Sequence, residues 1–133
     1  MSLNLHIVTP ARNMLSTACE DVVLPGFDGE MAVLEQHAFF VNKLGAGIVT
    51  IHKTEGVEKL AISGGVVEIG GNQITVLADD AVFAKEVNTI KLADQQKIVD
   101  EKLVTLSENS SDREKLFDQK KWITAQLQLV QEK

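Results

Sequence analysis

The residues best placed to do chemistry in this chain are Asp28, Glu30 and His37, two acids and an imidazole within one short stretch. Together they offer an acid, a base and a metal ligand, but hydrolytic or transfer chemistry also needs a nucleophile, and none lies nearby. An acidic turn leading into a strand is ordinarily solvated surface. The three histidines, His6, His37 and His52, are far apart and lack the spacing that puts two ligands on one helix face. Cys19 is alone, which excludes an internal disulfide and a cysteine metal cage, and it reads as a small buried apolar residue. Gly64-Gly65 has the flexibility of a phosphate cradle. It lies between two strands, however, with no lysine and hydroxyl residue after it as in a P-loop. The pair is expected to form a sharp bend or a close backbone approach. Lys115, Lys120 and Lys121 are interleaved with Glu114 and Asp118 and read as a solvated lysine face. No catalytic residue, metal or cofactor is expected, and the chain reads as a binding or mechanical element.

The elements that must carry these residues change period once. Leu3, Leu5 and Ile7 alternate with Asn4 and His6, the two-residue period of a strand with one buried face, and Pro10 ends it. Gly47 to Lys53 reads likewise, with Ile48 and Thr50 on one face and Val49 and Ile51 on the other. Thr54-Glu55-Gly56 returns the chain into Val57 to Ser63, and Gly70-Gly71-Asn72 returns Val66 to Ile69 into Ile74 to Ala78. Short strands joined by tight turns predict a sandwich or flattened barrel. After Glu86 the period becomes helical. Leu92, Val99, Leu103 and Leu106 form one stripe, with Asn88 or Thr89 as the cap, and Leu116, Ile123, Leu127 and Val130 repeat it beside Phe117. Between the helices lies the polar segment Ser107 to Asp112, and Ser111 with Glu114 has the spacing of a capping box. The prediction is a mainly β sandwich or barrel over residues 1–86, followed by an α-helical antiparallel hairpin over 87–133. Gln95 and Gln96 interrupt the first stripe, so the hairpin is expected to be marginal alone and to lean on the sandwich or a partner.

The chain has 133 residues, enough for one ordinary domain and an appendage, and a net charge of -6. Residues 1–87 hold 5 Lys and Arg against 11 Asp and Glu, while residues 88–133 hold 8 of each. An acidic sandwich lacks the clustered cations that neutralise phosphates, so nucleic acid is not an expected partner. No run approaches the ~18 apolar residues of a spanning helix, so any membrane association is expected through partners. The N-terminal residues carry neither a secretory nor an organellar signal, which points to the bacterial cytoplasm.

Several motifs in order resemble one family. They are Thr9-Pro10, Asp28-Gly29-Glu30 with Val33-Leu34 and His37, Leu44 with Gly47, Ile62 to Gly65 and Val76 to Asp79. This pattern resembles the epsilon subunit of bacterial F-type ATP synthases over nearly the whole chain. The resemblance implies a non-catalytic subunit whose sandwich grips the gamma subunit and rests on the c ring, so that proton-driven rotation reaches the alpha and beta subunits. It implies a peripheral position on the cytoplasmic face of the bacterial plasma membrane. Asp28, Glu30 and His37 match the family surface facing the c ring. The tail is implied to be a brake on ATP hydrolysis, folded on the sandwich in one state and extended in another, where Lys115, Lys120 and Lys121 meet the beta subunit. A continuous helix of about 40 residues would reach ~60 Å, enough for that journey. Trp122 is expected to anchor either packing.

Two departures from the family pattern bear on function. Some members bind ATP through isoleucine or leucine, aspartate, two variable residues, arginine and alanine. Here the aligned stretch is Val87, Asn88, Thr89, Ile90, Lys91 and Leu92, so both the carboxylate and the guanidinium are replaced. Gln126 and Gln128 stand where an anion site would want arginines. Glu35-Gln36 replaces the proline-containing turn usual before the histidine. An ATP-sensing module and a free-standing helical-hairpin adaptor are the alternatives to the stalk subunit.

Overall fold

In a computed structural model, residues 3–33, 37–106 and 111–131 are described. Ten strands among these residues form one hydrogen-bonded sheet, nine of them along a single path. They are β1 (Leu3–Val8), β2 (Asn13–Cys19), β3 (Asp21–Gly26), β4 (Gly29–Val33), β5 (His37–Leu44), β6 (Gly47–Lys53), β7 (Gly56–Ile62), β8 (Gly65–Gly71), β9 (Gln73–Ala78) and β10 (Ala81–Val82). The hydrogen-bonded order is β10-β7-β6-β3-β5-β8-β9-β1-β2, with β4 paired to β3. One half, β10-β7-β6-β3-β4, faces the other, β5-β8-β9-β1-β2, and a single pair, Gly26 with Leu44, joins β3 to β5. Alternation fills the space between them. Leu3, Leu5, Ile7, Val67, Ile69, Ile74 and Val76 enter from one half, and Val22, Leu24, Val49, Ile51, Leu60 and Ile62 from the other, all fully buried. β1 and β9 pair in parallel, and every other pairing is antiparallel.

The Gly64-Gly65 pair is a bend with a close backbone approach. Both residues have positive φ, 138° and 145°, and a Cβ on Gly65 would stand 2.1 Å from the Leu77 carbonyl oxygen. The turns at Thr54 to Gly56 and Gly70 to Asn72 fall where their residue types place them, with Gly71, at φ 58°, the last residue of β8.

One turn of 3-10 helix, Ala84–Glu86, leads into α1 (Thr89–Thr105), and α2 (Ser111–Gln131) returns beside it. Asn88 is the cap of α1, its side-chain oxygen accepting from the Lys91 amide at 3.1 Å. Ser111 is itself helical, so it does not take the flanking position that a capping box requires. Residues 107–110 of the polar segment, and Leu34, Glu35 and Gln36, lie outside the described residues. Leu92, Val99, Leu103 and Ile123 form the buried seam between the helices, with Leu116 and Leu127 packed against it. Arg113 of α2 donates through Nη1 to the carbonyl oxygen of Leu103 at 2.7 Å, satisfying an acceptor that the end of α1 leaves open.

Candidate functional site

The sandwich has two outer faces, and their side chains differ in what covers them. On β7, Leu60 and Ile62 point inward, yet the intervening Ala61 is also fully buried. Its cover is α2. Ala125 and Leu129 pack on Ala61, with Trp122, Ile48, Val82, Ala84 and Val87 around them. The second helix therefore carries two apolar faces, one toward α1 through Ile123 and Leu127, the other toward the sandwich through Ala125 and Leu129. Sequence periodicity found only the first.

The outer face of the other half is open. In register across the sheet, Lys43 lies opposite Val66, Val66 opposite Leu77, and Leu77 opposite Val8. One row further, Val41 faces Glu68, which faces Thr75. Phe39 belongs to the same face, since a Cβ on Gly70 would stand 3.4 Å from its ring. Exposure is 78% for Phe39, 51% for Val41 and 45% for Leu77, so this half presents an uncovered apolar band flanked by Lys43 and Glu68.

Asp28 and Glu30 are exposed at the hairpin of β3 and β4, where Phe27 also projects and carries the Lys43 ammonium 4.6 Å from its ring centre. Glu30 sits opposite Pro25, beside the Gly26 and Leu44 pair. The backbone of His37 sits opposite Gly71, and its side chain lies outside the described residues. Leu44 and His37 are the two ends of β5, roughly 23 Å apart at ~3.3 Å per residue. The fold thus joins Asp28 to Glu30 but separates both from His37. The three lysines of α2 do not share a face either. Lys120 Nζ lies 2.8 Å from Asp100 Oδ1 on α1, Lys120 and Lys121 together border a cavity beside Ala46 and Gly47, and Lys115 lies apart from both, beside Leu106 and Asp112. At about 100° per residue, positions 115, 120 and 121 spread around the helix.

The root of the tail is fastened by charge. Arg12, in the turn between β1 and β2, donates through Nη2 to Glu86 Oε1 at 2.8 Å. The same carboxylate oxygen accepts from the Phe83 amide at 2.8 Å. These hydrogen bonds, the one from Arg12 above all, hold the Glu86 carboxyl down at about 2 and raise Arg12 above its ordinary value. Burial pushes the Cys19 thiol up, as befits a core residue. Among the described residues, no group of three or more histidine, cysteine or acidic side chains could hold a metal ion, and no helix is long and apolar enough to cross a membrane.

Residues 2–84 match the family model described as ATP synthase, Delta/Epsilon chain, beta-sandwich domain. The ATP synthase epsilon chain of Moorella thermoacetica is 41% identical over 88 residues, covering 65% of this chain and 66% of that one. The ATP synthase epsilon chain of Propionigenium modestum, named as sodium ion specific, is 33% identical over 108 residues, covering 81% of this chain and 79% of its own length. This chain belongs to the ATP synthase epsilon family. Members of that family are subunits of the synthase complex, and the chain is a non-catalytic one. The fold of the epsilon-family chain is also that of a chain in the Euglena gracilis mitochondrial ATP synthase, with a TM-score of 0.82 at 21% identity, covering 96% of this chain and 79% of the other.

In this epsilon-family chain the altered nucleotide motif is committed to structure. Asn88 is used as a helix cap, and Gln126 is buried with its amide nitrogen 3.4 Å from the Trp122 carbonyl oxygen. The uncovered band was readable in outline. Phe39-Phe40-Val41, Val66-Val67 and Val76-Leu77 are apolar at consecutive positions, and a strand apolar on both faces is normally covered on both. Sequence reading took only the inward half of that signal.

Proposed function

We propose that this epsilon-family chain works as a coupling element in the central stalk of a bacterial ATP synthase, peripheral on the cytoplasmic face of the plasma membrane. The observation that carries it is the open outer face of β5, β8 and β9. Its apolar band, Phe39, Val41, Val66 and Leu77, is what a permanent subunit contact requires, and the opposite outer face is already occupied by the chain's own tail. The gamma subunit is the partner proposed for that band. Asp28 and Glu30, with Phe27 between the strands, form an exposed acidic hairpin suited to the polar loops of the c ring. The register of β5 supports Asp28 and Glu30 as one contact, with the backbone of His37 a strand's length away. A structure similar at a TM-score of 0.66 belongs to the central stalk and c ring of the Tetrahymena thermophila mitochondrial synthase, in keeping with this reading.

The hairpin of α1 and α2 is proposed to restrain ATP hydrolysis by leaving the sandwich and reaching the alpha and beta subunits. Lys115, Lys120 and Lys121 would then meet acidic groups of the beta subunit, Lys120 after giving up Asp100. Deletion of residues 88–133, with ATP hydrolysis and ion pumping measured in membrane vesicles, tests both parts. Hydrolysis that rises while pumping stays coupled assigns coupling to the sandwich and restraint to the tail. Unchanged hydrolysis removes the restraint. Pumping assayed with and without sodium decides whether protons are the coupling ion, a property that lies in the c ring rather than in this chain.

A further inference from the structure

We infer that the free chain pairs with a second copy of itself through the open outer face of β5, β8 and β9, forming a two-fold dimer in which Lys43 of one copy meets Glu68 of the other. The pairing does not depend on the gamma subunit. Only its consequence rests on the function proposed above: a chain held by gamma through this face is not paired.

The register of the three strands sets out the pattern. Lys43 stands opposite Val66, and Val66 opposite Leu77, while two residues along β5 Val41 stands opposite Glu68. Val41, Val66 and Leu77 therefore run obliquely across β5, β8 and β9 as one apolar stripe, 51%, 36% and 45% exposed. Lys43 lies on one side of this stripe and Glu68 on the other, and both are exposed. They are the only lysine, arginine or acidic residues in the three strands. Among the described residues neither has an ion-pair partner within the chain, and Lys43 rests over the Phe27 ring instead.

A stripe flanked by opposite charges is its own complement. Turning a second copy by 180° about the line of the stripe lays the apolar residues on their counterparts and brings each Lys43 over the Glu68 of the partner copy, once on either side. Because both copies use the same patch, the contact closes at two molecules and leaves no face to extend a fibre. The stripe is oblique to the strands, so the two sheets cross steeply, closer to orthogonal than to aligned packing. The tail does not compete for this face, since α2 packs on Ala61 and Ile48 of the other half. Each copy carries a net charge of -6, which opposes approach. Salt at ~0.15 M screens that repulsion beyond ~8 Å, whereas the Lys43 and Glu68 pairs act at contact. An interface centred on so few large side chains falls short of the ~20–30 residues a side of a tight complex, so half-association is expected at on the order of 10–100 μM.

Sedimentation equilibrium of the full chain from about 5 to 500 μM in ~0.15 M salt tests this, the apparent mass rising toward double across the range. Lys43→Glu places two acids on both flanks of the stripe, and Glu68→Lys places two cations there. Each single variant should dimerise about ten-fold more weakly, because like charges then face each other twice. The double variant, with the charges exchanged, should return to within roughly three-fold of the wild type, and an equimolar mixture of the two single variants should associate about ten-fold more tightly than either alone. The backbone signal of the strands and the melting temperature report whether each variant is folded. If Lys43→Glu disturbs the hairpin through Phe27, the comparison of Glu68→Lys with the wild type and the double variant still decides the matter. A wild-type chain that stays monomeric across the range overturns the inference and leaves the face to partner subunits alone. Association that continues past two copies, or that ignores the charge exchanges, overturns it as well, because it then proceeds by unspecific apolar contact or through another surface.

Discussion

Leu129→Ala should detach the tail without unfolding the sandwich. Leu129 is 2% exposed and packs with Ala125 on Ala61, at the far end of α2 from the hairpin turn. Truncation removes three carbon groups, worth about 2.4 kcal/mol at ~0.8 kcal/mol each. A cavity term adds to this in rigid cores, where such changes cost ~2–5 kcal/mol. The site is near the end of the described helix and bounded on one side by a movable element, so collapse should keep the cost near the lower limit. About 2.4 kcal/mol shifts the ratio of docked to undocked tail by roughly 60-fold. Because the sandwich core is a separate cluster, that loss should fall on docking alone. The assay is Trp122 emission during urea titration, read beside the backbone signal of the strands. Expected is a new transition in Trp122 emission at low urea, with the midpoint of the strand signal unchanged. A Leu129→Ala chain whose Trp122 signal stays with the strand transition would show that docking and sandwich fold as one unit, and the separation argued from the two clusters would be wrong. Val104→Ala, at a residue 85% exposed on α1, serves as the control and should change neither signal.

Leu77→Glu, in the middle of the uncovered apolar band, should leave the melting temperature of the isolated chain within a few degrees and abolish retention of the gamma subunit in pull-down from the assembled complex. Gly65→Ala should lower stability by several kcal/mol in denaturant titration, because its Cβ meets the Leu77 carbonyl at 2.1 Å and its φ is 145°. Lowering pH should weaken the root of the tail. The Glu86 carboxyl titrates at about 2 in the folded chain against an ordinary 4.5, so its contribution is complete above 4.5 and is lost as pH falls from there through about 2. The protection of the Phe83 amide, its exchange rate taken relative to the intrinsic rate at each pH, should fall across that window in the wild type and be flat in Glu86→Gln. Lys120→Met should cost no more than ~1 kcal/mol, since its pair with Asp100 is about half exposed on both sides, and the difference from wild type should shrink at high salt.

The change from a two-residue to a helical period near Glu86 was legible because each element buries one face, and burial imposes its spacing on the sequence. Leu3, Leu5 and Ile7, the stripe of Leu92, Val99 and Leu103, and the paired glycines at 64 and 65 were all read from types and spacing alone. The inner seam of the hairpin was legible for the same reason. What periodicity cannot encode is which element covers a second face. Ala125 and Leu129 are consistent with several faces of a helix, and only their packing on Ala61 shows that α2 closes the sandwich. Arg12 and Glu86 are 74 positions apart, and no local pattern pairs them. The separation of His37 from Asp28 and Glu30 also depends on tertiary structure, because short distance along a chain says nothing once a strand carries it across the domain. The sequence by itself determined the order of strands before helices and, through its ordered motifs, the family, while β2, β3 and β10 carried no reading of their own. The tertiary structure decided which apolar face is spent on the tail and which remains open, since that is settled by contacts between residues whose distance in sequence has no physical bearing on their distance in space.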